Sequence, residues 1–438
     1  MSYLLKSATL VTLDPAMVER ADLRINDGRI AERASQIEPR EGEEIIDASG
    51  KLVLPGMVCA HTHLYSALAR GMPAPPRAPQ NFTEILELVW WRLDCALDEE
   101  TIYWSAIAGA MDAARAGTTC LFDHHASPSL IRGSLDIVRE ALEKVGLRGV
   151  LCYEVTDRGG LQKRDEGLDE SLAFLESIAS VSEQTDFPFR AMAGAHASFT
   201  LSDDSLNRLA DVMRATGAGL HIHVAEDACD VDDARAQYGA GVVERLANFG
   251  ALNSRTILAH GIHLSDRDIE IAREADAWFA HNPRSNMNNR VGYAPVSKFG
   301  ERVLLGTDGI GADMFDEARF AFFKGQEERT GFGADDWLRV LANNQRKAGE
   351  AFGMEMSALK AGSAADLVLL GYNSPTPLTA ENLAWHFAFG ISSAAVESVM
   401  VAGRFLIRDK RSAIDEGSLY EQARKASERL WRKLKTTT

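Results

Sequence analysis

Between residues 53 and 306, short apolar, β-branched runs alternate with stretches of helical period. The runs at 53–59, 118–123, 148–154, 190–195, 218–224, 256–259, 277–280 and 302–306 predict eight strands. The intervening stretches 99–116, 133–145 and 202–216 repeat apolar residues at helical spacing, and Ser202 opens the last of them as an N-cap. Eight β-then-α units predict an α/β fold, a (β/α)8 TIM-like barrel over residues 53–360. A doubly wound open sheet is the alternative, but no glycine-rich phosphate loop follows the first run. The chain ends have a different texture. Strands are predicted at 3–13, 21–25 and 29–31, with a hairpin turn at Asn26-Asp27-Gly28, and again at 365–370, 396–401 and 405–407. Together they predict a small β-sandwich domain built from residues 1–52 and 361–438, closed by an amphipathic basic helix at 419–434.

Composition narrows the function classes. Hydrophobic residues make up 46% and charged residues 25%, the mix of a globular protein with a large core. The net charge is −16 and no Lys/Arg-rich run occurs, so neither nucleic acid nor an anionic membrane is expected as a partner. No window approaches the roughly 20 apolar residues of a spanning helix. Five cysteines, odd in number and without a CxxC pair, argue against a disulfide framework and against a cysteine zinc site. The first residues lack a basic stretch leading into an apolar one, so a reduced, cytoplasmic protein is expected.

All eleven histidines except His386 fall at or just beyond the ends of the predicted strands. In a barrel those ends form one face, where catalytic groups gather. His61 and His63 alternate at period two, so both imidazoles point the same way and suit two ligands on one ion. His221 and His223 repeat the spacing; only one need be a ligand, and His223 lies nearer the strand end. Asp308, after strand eight, reads as an oxygen ligand, a base for a bound water, or a helix cap. Glu226, three residues beyond His223, reads as a general acid/base beside the metal or as a helix-start carboxylate.

These residues resemble the amidohydrolase superfamily. The resemblance rests on Val53-Leu54-Pro55-Gly56-Met57 running into His61-Thr62-His63-Leu64, and on His221-Ile222-His223-Val224-Ala225-Glu226. It continues in Leu258-Ala259-His260-Gly261, His281-Asn282-Pro283-Arg284-Ser285-Asn286 and Gly306-Thr307-Asp308. It is strongest for the branch of mononuclear-metal deaminases and chlorohydrolases. Within that branch, Trp90-Trp91-Arg92-Leu93-Asp94, Phe122-Asp123-His124-His125 and Ser285-Asn286-Met287-Asn288-Asn289 are similar to the SsnA group of aminohydrolases.

The resemblance implies one divalent metal ion per chain, zinc or iron, held by His61, His63, His223 and Asp308. It implies that His260 orients a water, that Glu226 shuttles a proton to a ring nitrogen, and that Asp308 shares in proton transfer. His196, Trp90 and Trp91 would contact substrate. His124 and His125, a pair that departs from many relatives, are expected either to touch substrate or to form a hydrogen-bonded rim. No lysine stands after strand four, which favours one metal over a binuclear site. The implied activity is hydrolytic deamination of a small purine, pterin or triazine heterocycle by a homo-oligomeric enzyme. The alternatives are a cyclic-amide hydrolase, a chlorohydrolase, or a non-catalytic metal-binding subunit.

Overall fold

The computed structural model describes residues 2–182 and 188–436. Two parallel five-stranded sheets hold the eight predicted runs. In one, the strands follow the order Asp308–Gly309, Met57–His63, Thr118–His125, Arg148–Tyr153 and Phe189–Ala191; in the other, Ala193–Ala197, Leu220–Val224, Ile257–His260, Trp278–His281 and Val303–Leu305. Backbone hydrogen bonds bridge the sheets at both junctions. Val155 N donates to Gly194 O at 3.2 Å and His196 N to Val155 O at 3.0 Å; on the other side Thr307 N donates to His61 O at 3.0 Å. The fourth run thus splits at Met192 and belongs to both sheets. Helices between strands start on side-chain caps the sequence provides: Asp98 before Glu99–Arg115, Ser202 before Asp203–Thr216, Ser265 before Asp266–Glu274. Inward-facing Ala60, Phe122, Cys152, Ile257 and Leu304 meet Phe352 and Met356 in one interior core, while the outer faces of the strands pack on the helices.

Both chain ends contribute to a single nine-stranded sheet. Leu52–Pro55 lies at its centre, parallel to Ser2–Leu13 on one side and antiparallel to Leu367–Leu370 on the other. The structure therefore differs from the sequence expectation in three places. The run 53–59 divides at Gly56: Leu52–Pro55 serves the small sheet and the parallel strand begins at Met57. Both halves are buried on both faces, so periodicity carries no sign of the break. At the break a Cβ on Gly56 would stand 2.2 Å from Thr119 Oγ1, so only glycine lets the backbone approach. Second, the nine hydrogen-bonded strands of this sheet include Glu44–Asp47, parallel to Ser2–Leu13, a strand that no predicted run contains. Third, the tail helix, Glu416–Leu434, docks beside the parallel sheets: Trp431 Nε1 donates to Leu68 O at 2.9 Å and Arg92 to Leu434 O at 2.6 Å. Among the described residues no helix is long and apolar enough to cross a membrane.

Candidate active site

The C-terminal ends of the parallel strands bring together His61, His63, His223, His260 and Asp308. Strand Met57–His63 ends on the alternation that carries His61 and His63 inward, and Asp308 pairs beside Thr62. Chain reversal at these ends uses left-handed backbone: Ala225 (φ 46°), His260 (φ 70°) and Asp308 (φ 57°). Such conformations cost of order 1–3 kcal/mol each and cluster where side chains must be aimed. Here they turn Glu226, His260 and Asp308 toward one point.

Hydrogen bonds fix which nitrogen each imidazole presents. His63 Nδ1 donates to His124 O at 2.6 Å, His223 Nδ1 to His196 O at 2.8 Å, and His260 Nδ1 to Asn286 Oδ1 at 2.8 Å. His61 Nδ1 meets His221 Nε2 at 2.9 Å, which leaves His221 behind the cluster. The Nε2 atoms therefore converge. His63 Nε2 lies 3.2 Å from His223 Nε2 and 2.9 Å from Asp308 Oδ1; His61 Nε2 lies 3.5 Å from the same oxygen. His61 Nε2 and His260 Nε2 are buried without a hydrogen-bond partner among the described residues. Burial alone drives His63 toward neutrality, but Asp308 outweighs it and raises His63 to about 9. Asp308 is held well below the carboxylate range by His61 and His63 in spite of its burial. Buried lone pairs pointing at one carboxylate form a donor set that fits a divalent cation of zinc type.

A single short helix, Pro283–Asn289, orients this cluster. Ser285 Oγ donates to Asp308 Oδ2 at 2.5 Å, Asn286 holds His260, and Asn289 Nδ2 donates to Glu226 Oε1 at 3.3 Å. Arg284 braces the loop beyond strand eight by donating to Thr307 O and Gly309 O. Glu226 Oε2 lies 3.6 Å from His260 Nε2, and burial pushes the Glu226 carboxyl up to about 7.

The cavity above the cluster, about 500 Å³ including its open mouth, is lined by Trp90, Trp91, Asp94, Glu154, His196 and Glu226 among others. His196 Nδ1 donates to Thr200 Oγ1 at 2.8 Å, because the Thr200 hydroxyl is given to Ala197 O; His196 Nε2 is left as an acceptor. His124 and His125 do not line the cavity. Strand Thr118–His125 continues through both, so both are fully buried. His124 Nδ1 stands 3.3 Å from Glu154 Oε2, and His125 Nε2 donates to Ser127 Oγ at 2.9 Å. Strand pairing with Cys152 and Tyr153 buries both behind the wall.

Sequence pattern does not single out Asp94, Glu154 and Arg158. Arg158 donates to Glu154 at 3.1 Å and Asp94 at 3.0 Å and stacks on Trp91, its guanidinium 4.6 Å from the ring. Burial raises Glu154, but His196, His124 and Arg158 together bring it well below the carboxylate range. Glu154 ends the third predicted strand, and that position was the available signal. Ligand-capable atoms lie mutually close in two groups, His61, His223, His260 and Asp308, and His63, His124, Glu154 and His223, which share His223.

The amidohydrolase family profile matches residues 52–406. The chain belongs to the amidohydrolase family. Within it the chain falls in the deaminase and chlorohydrolase branch, as a hydrolase of carbon–nitrogen bonds. It is 30% identical to a 5'-deoxyadenosine deaminase of Methanosarcina mazei, with 98% of each chain covered. It is 28% identical to a 5-methylthioadenosine/S-adenosylhomocysteine deaminase of Thermococcus sibiricus, covering 93% of this chain and 94% of that one. The fold is shared with an adenosine deaminase of Xanthomonas campestris bound to zinc (TM-score 0.84, 21% identity, 98% of each chain). It is also shared with a zinc-bound atrazine chlorohydrolase of Arthrobacter aurescens (TM-score 0.80, 21% identity, 97% of this chain and 100% of that one).

Proposed function

We propose that this amidohydrolase is a metal-dependent hydrolytic deaminase of an aminated N-heterocycle, purine-like in ring type, releasing ammonia. Relatives named for adenosine-type deamination along nearly the whole chain support the ring class. The observation that carries the reaction type is Glu226: a buried carboxyl raised to about 7, beside His260 and above the convergent donors. His61, His63, His223 and Asp308 would hold one zinc or iron ion. When bound, the ion supplies the Lewis acidity that makes water nucleophilic at neutral pH.

The chain's own residues do the rest. Water adds its oxygen to the ring carbon that bears the amino group. His260, fixed by Asn286, and Asp308, fixed by Ser285, orient that water and take its proton. Glu226 in its acid form protonates the neighbouring ring nitrogen; its carboxylate then takes the proton of the added hydroxyl and passes it to the amino group, which leaves as ammonia, and the water proton held at Asp308 restores the acid form. His196 Nε2 accepts a hydrogen bond from the ring, and Trp90 and Trp91 cover its face. His124 and His125 have no part in substrate contact; His124 holds Glu154 and presents its carbonyl to His63.

Glu226→Gln keeps the shape and removes the proton carrier. Turnover of a responsive aminoheterocycle should fall about 10²–10⁴-fold at unchanged metal content. Because the lost interaction belongs to the transition state, kcat should fall more than KM rises. A variant within about tenfold of the parent at equal metal occupancy removes Glu226 from the mechanism.

A further inference from the structure

At the opposite end of the parallel strands from the active site lies a second cavity, about 1150 Å³ including its open mouth. Its charge is opposite to that of the molecule. The chain carries −16 overall, yet the wall holds Arg190, Arg255, Arg302 and Lys347 against one acid, Glu350. These cations come from distant segments, before or at the starts of strands and on helix Ala334–Phe352, so no single charge run produces them.

Among the described residues, Arg255, Arg302 and Lys347 have few anions around them. Lys347 is 4% exposed and gives one hydrogen bond to Arg255 O at 3.0 Å. Arg255 donates to Gly217 O at 2.7 Å. Arg302 reaches Asp276 only at 3.7 Å, and its Nη1 is buried without a hydrogen-bond partner among the described residues. Arg302 and Lys347 both lie over the Trp278 ring, at 4.7 and 5.5 Å, so one ring serves two cations; Trp278 Nε1 is a buried donor without a partner among the described residues. Burial pulls Lys347 down to about 8; Glu350 opposes the shift, and Arg302 and Arg255 add to it. Like charges gathered on one cavity wall repel one another, and an anion placed between them relieves that repulsion.

We infer that this cavity is a binding site for a phosphate oxyanion, free or carried on a small metabolite, bound by Arg255, Arg302 and Lys347. Guanidinium forks match tetrahedral oxyanions and the ammonium adds a point charge. The site stands apart from the deamination centre, so its test does not depend on that reaction.

Metal-loaded protein is titrated calorimetrically at low ionic strength with inorganic phosphate, pyrophosphate and ribose 5-phosphate, against sodium chloride at matched ionic strength. The expected result is one site per chain, weakened about tenfold or more in Arg255→Gln and Arg302→Gln, since each loses a charge-assisted contact. Tighter binding of ribose 5-phosphate than of phosphate marks a metabolite carrier, and the reverse marks the free ion. Both variants alter half-buried or exposed side chains, so their folding is checked by Tm. Phosphate should raise the Tm of the parent and leave theirs in place. Heats that chloride reproduces, or phosphate affinity equal in the parent and both variants, would overturn the inference.

Discussion

At the level of single side chains, the site divides into groups that face the ion and groups that fix their direction. His61→Ala and His63→Ala each remove a convergent nitrogen, so metal content by elemental analysis and turnover should fall together. Asn286→Ala acts differently. It removes the acceptor for His260 Nδ1 and leaves the other Nε2 donors in place. Its expected signature is a roughly 10–100-fold loss of kcat with most of the metal retained. Lys347 offers a residue-scale test of electrostatics. Its folded pKa, about 8, lies below the roughly 10.4 of an unfolded lysine. Between those values the unfolded chain binds the proton and the folded chain does not, so stability rises with pH across that window. Lys347→Met should abolish this rise, on the order of 2–3 kcal/mol by denaturant unfolding at pH 7.5 and 10.

At the level of elements, the short helix Pro283–Asn289 and the strand-eight end decide how the site is aimed. Ser285, Asn286 and Asn289 occupy one polar face of that helix and touch Asp308, His260 and Glu226 in turn. Gly306 approaches so closely that a Cβ there would lie 2.7 Å from His61 Cβ and 2.5 Å from Asn282 Oδ1. Gly306→Ala should therefore cost about 1–3 kcal/mol and lower metal retention, although no ligand is replaced. The strands themselves were legible in sequence because their runs are short and apolar and most are separated by stretches of helix length, and the histidines were legible because they sit at strand ends. The break at Gly56 was not, since a strand buried on both faces reads the same on either side of it. Nor were Asp94 and Arg158. Their meaning comes from meeting Glu154 across the cavity, a contact that local spacing cannot encode. The burial of His124 and His125 was not legible for a related reason: the strand extends two residues beyond its apolar run, where Cys152 and Tyr153 pair with them.

At the level of the whole molecule, one ion pair ties the small sheet to the parallel strands. Arg148 donates through Nε and Nη2 to Asp366, at 2.7 and 3.1 Å, with both side chains nearly inaccessible. Asp366 also accepts from Ala402 N at 2.8 Å. Asp366→Leu leaves a buried guanidinium uncompensated and should destabilise by about 3–5 kcal/mol. The double variant Arg148→Met/Asp366→Leu should recover much of that loss. Equal unfolding free energies for the single and double variants would show that the cost lies in lost packing and not in charge.

The central position of Leu52–Pro55 in the small sheet has a consequence for biosynthesis. One edge of that strand finds Ser2–Leu13 as soon as both emerge from the ribosome. The other edge waits for Leu367–Leu370, roughly 300 residues later, a long-range pairing of the slow kind. Until then the nascent chain displays an apolar strand edge, the template on which other chains pair. The chain therefore has no safe stopping point before its last strands. Truncation ahead of Leu367 should yield insoluble protein with its strand edge open, and co-expression of the missing C-terminal segment should restore recovery of folded enzyme.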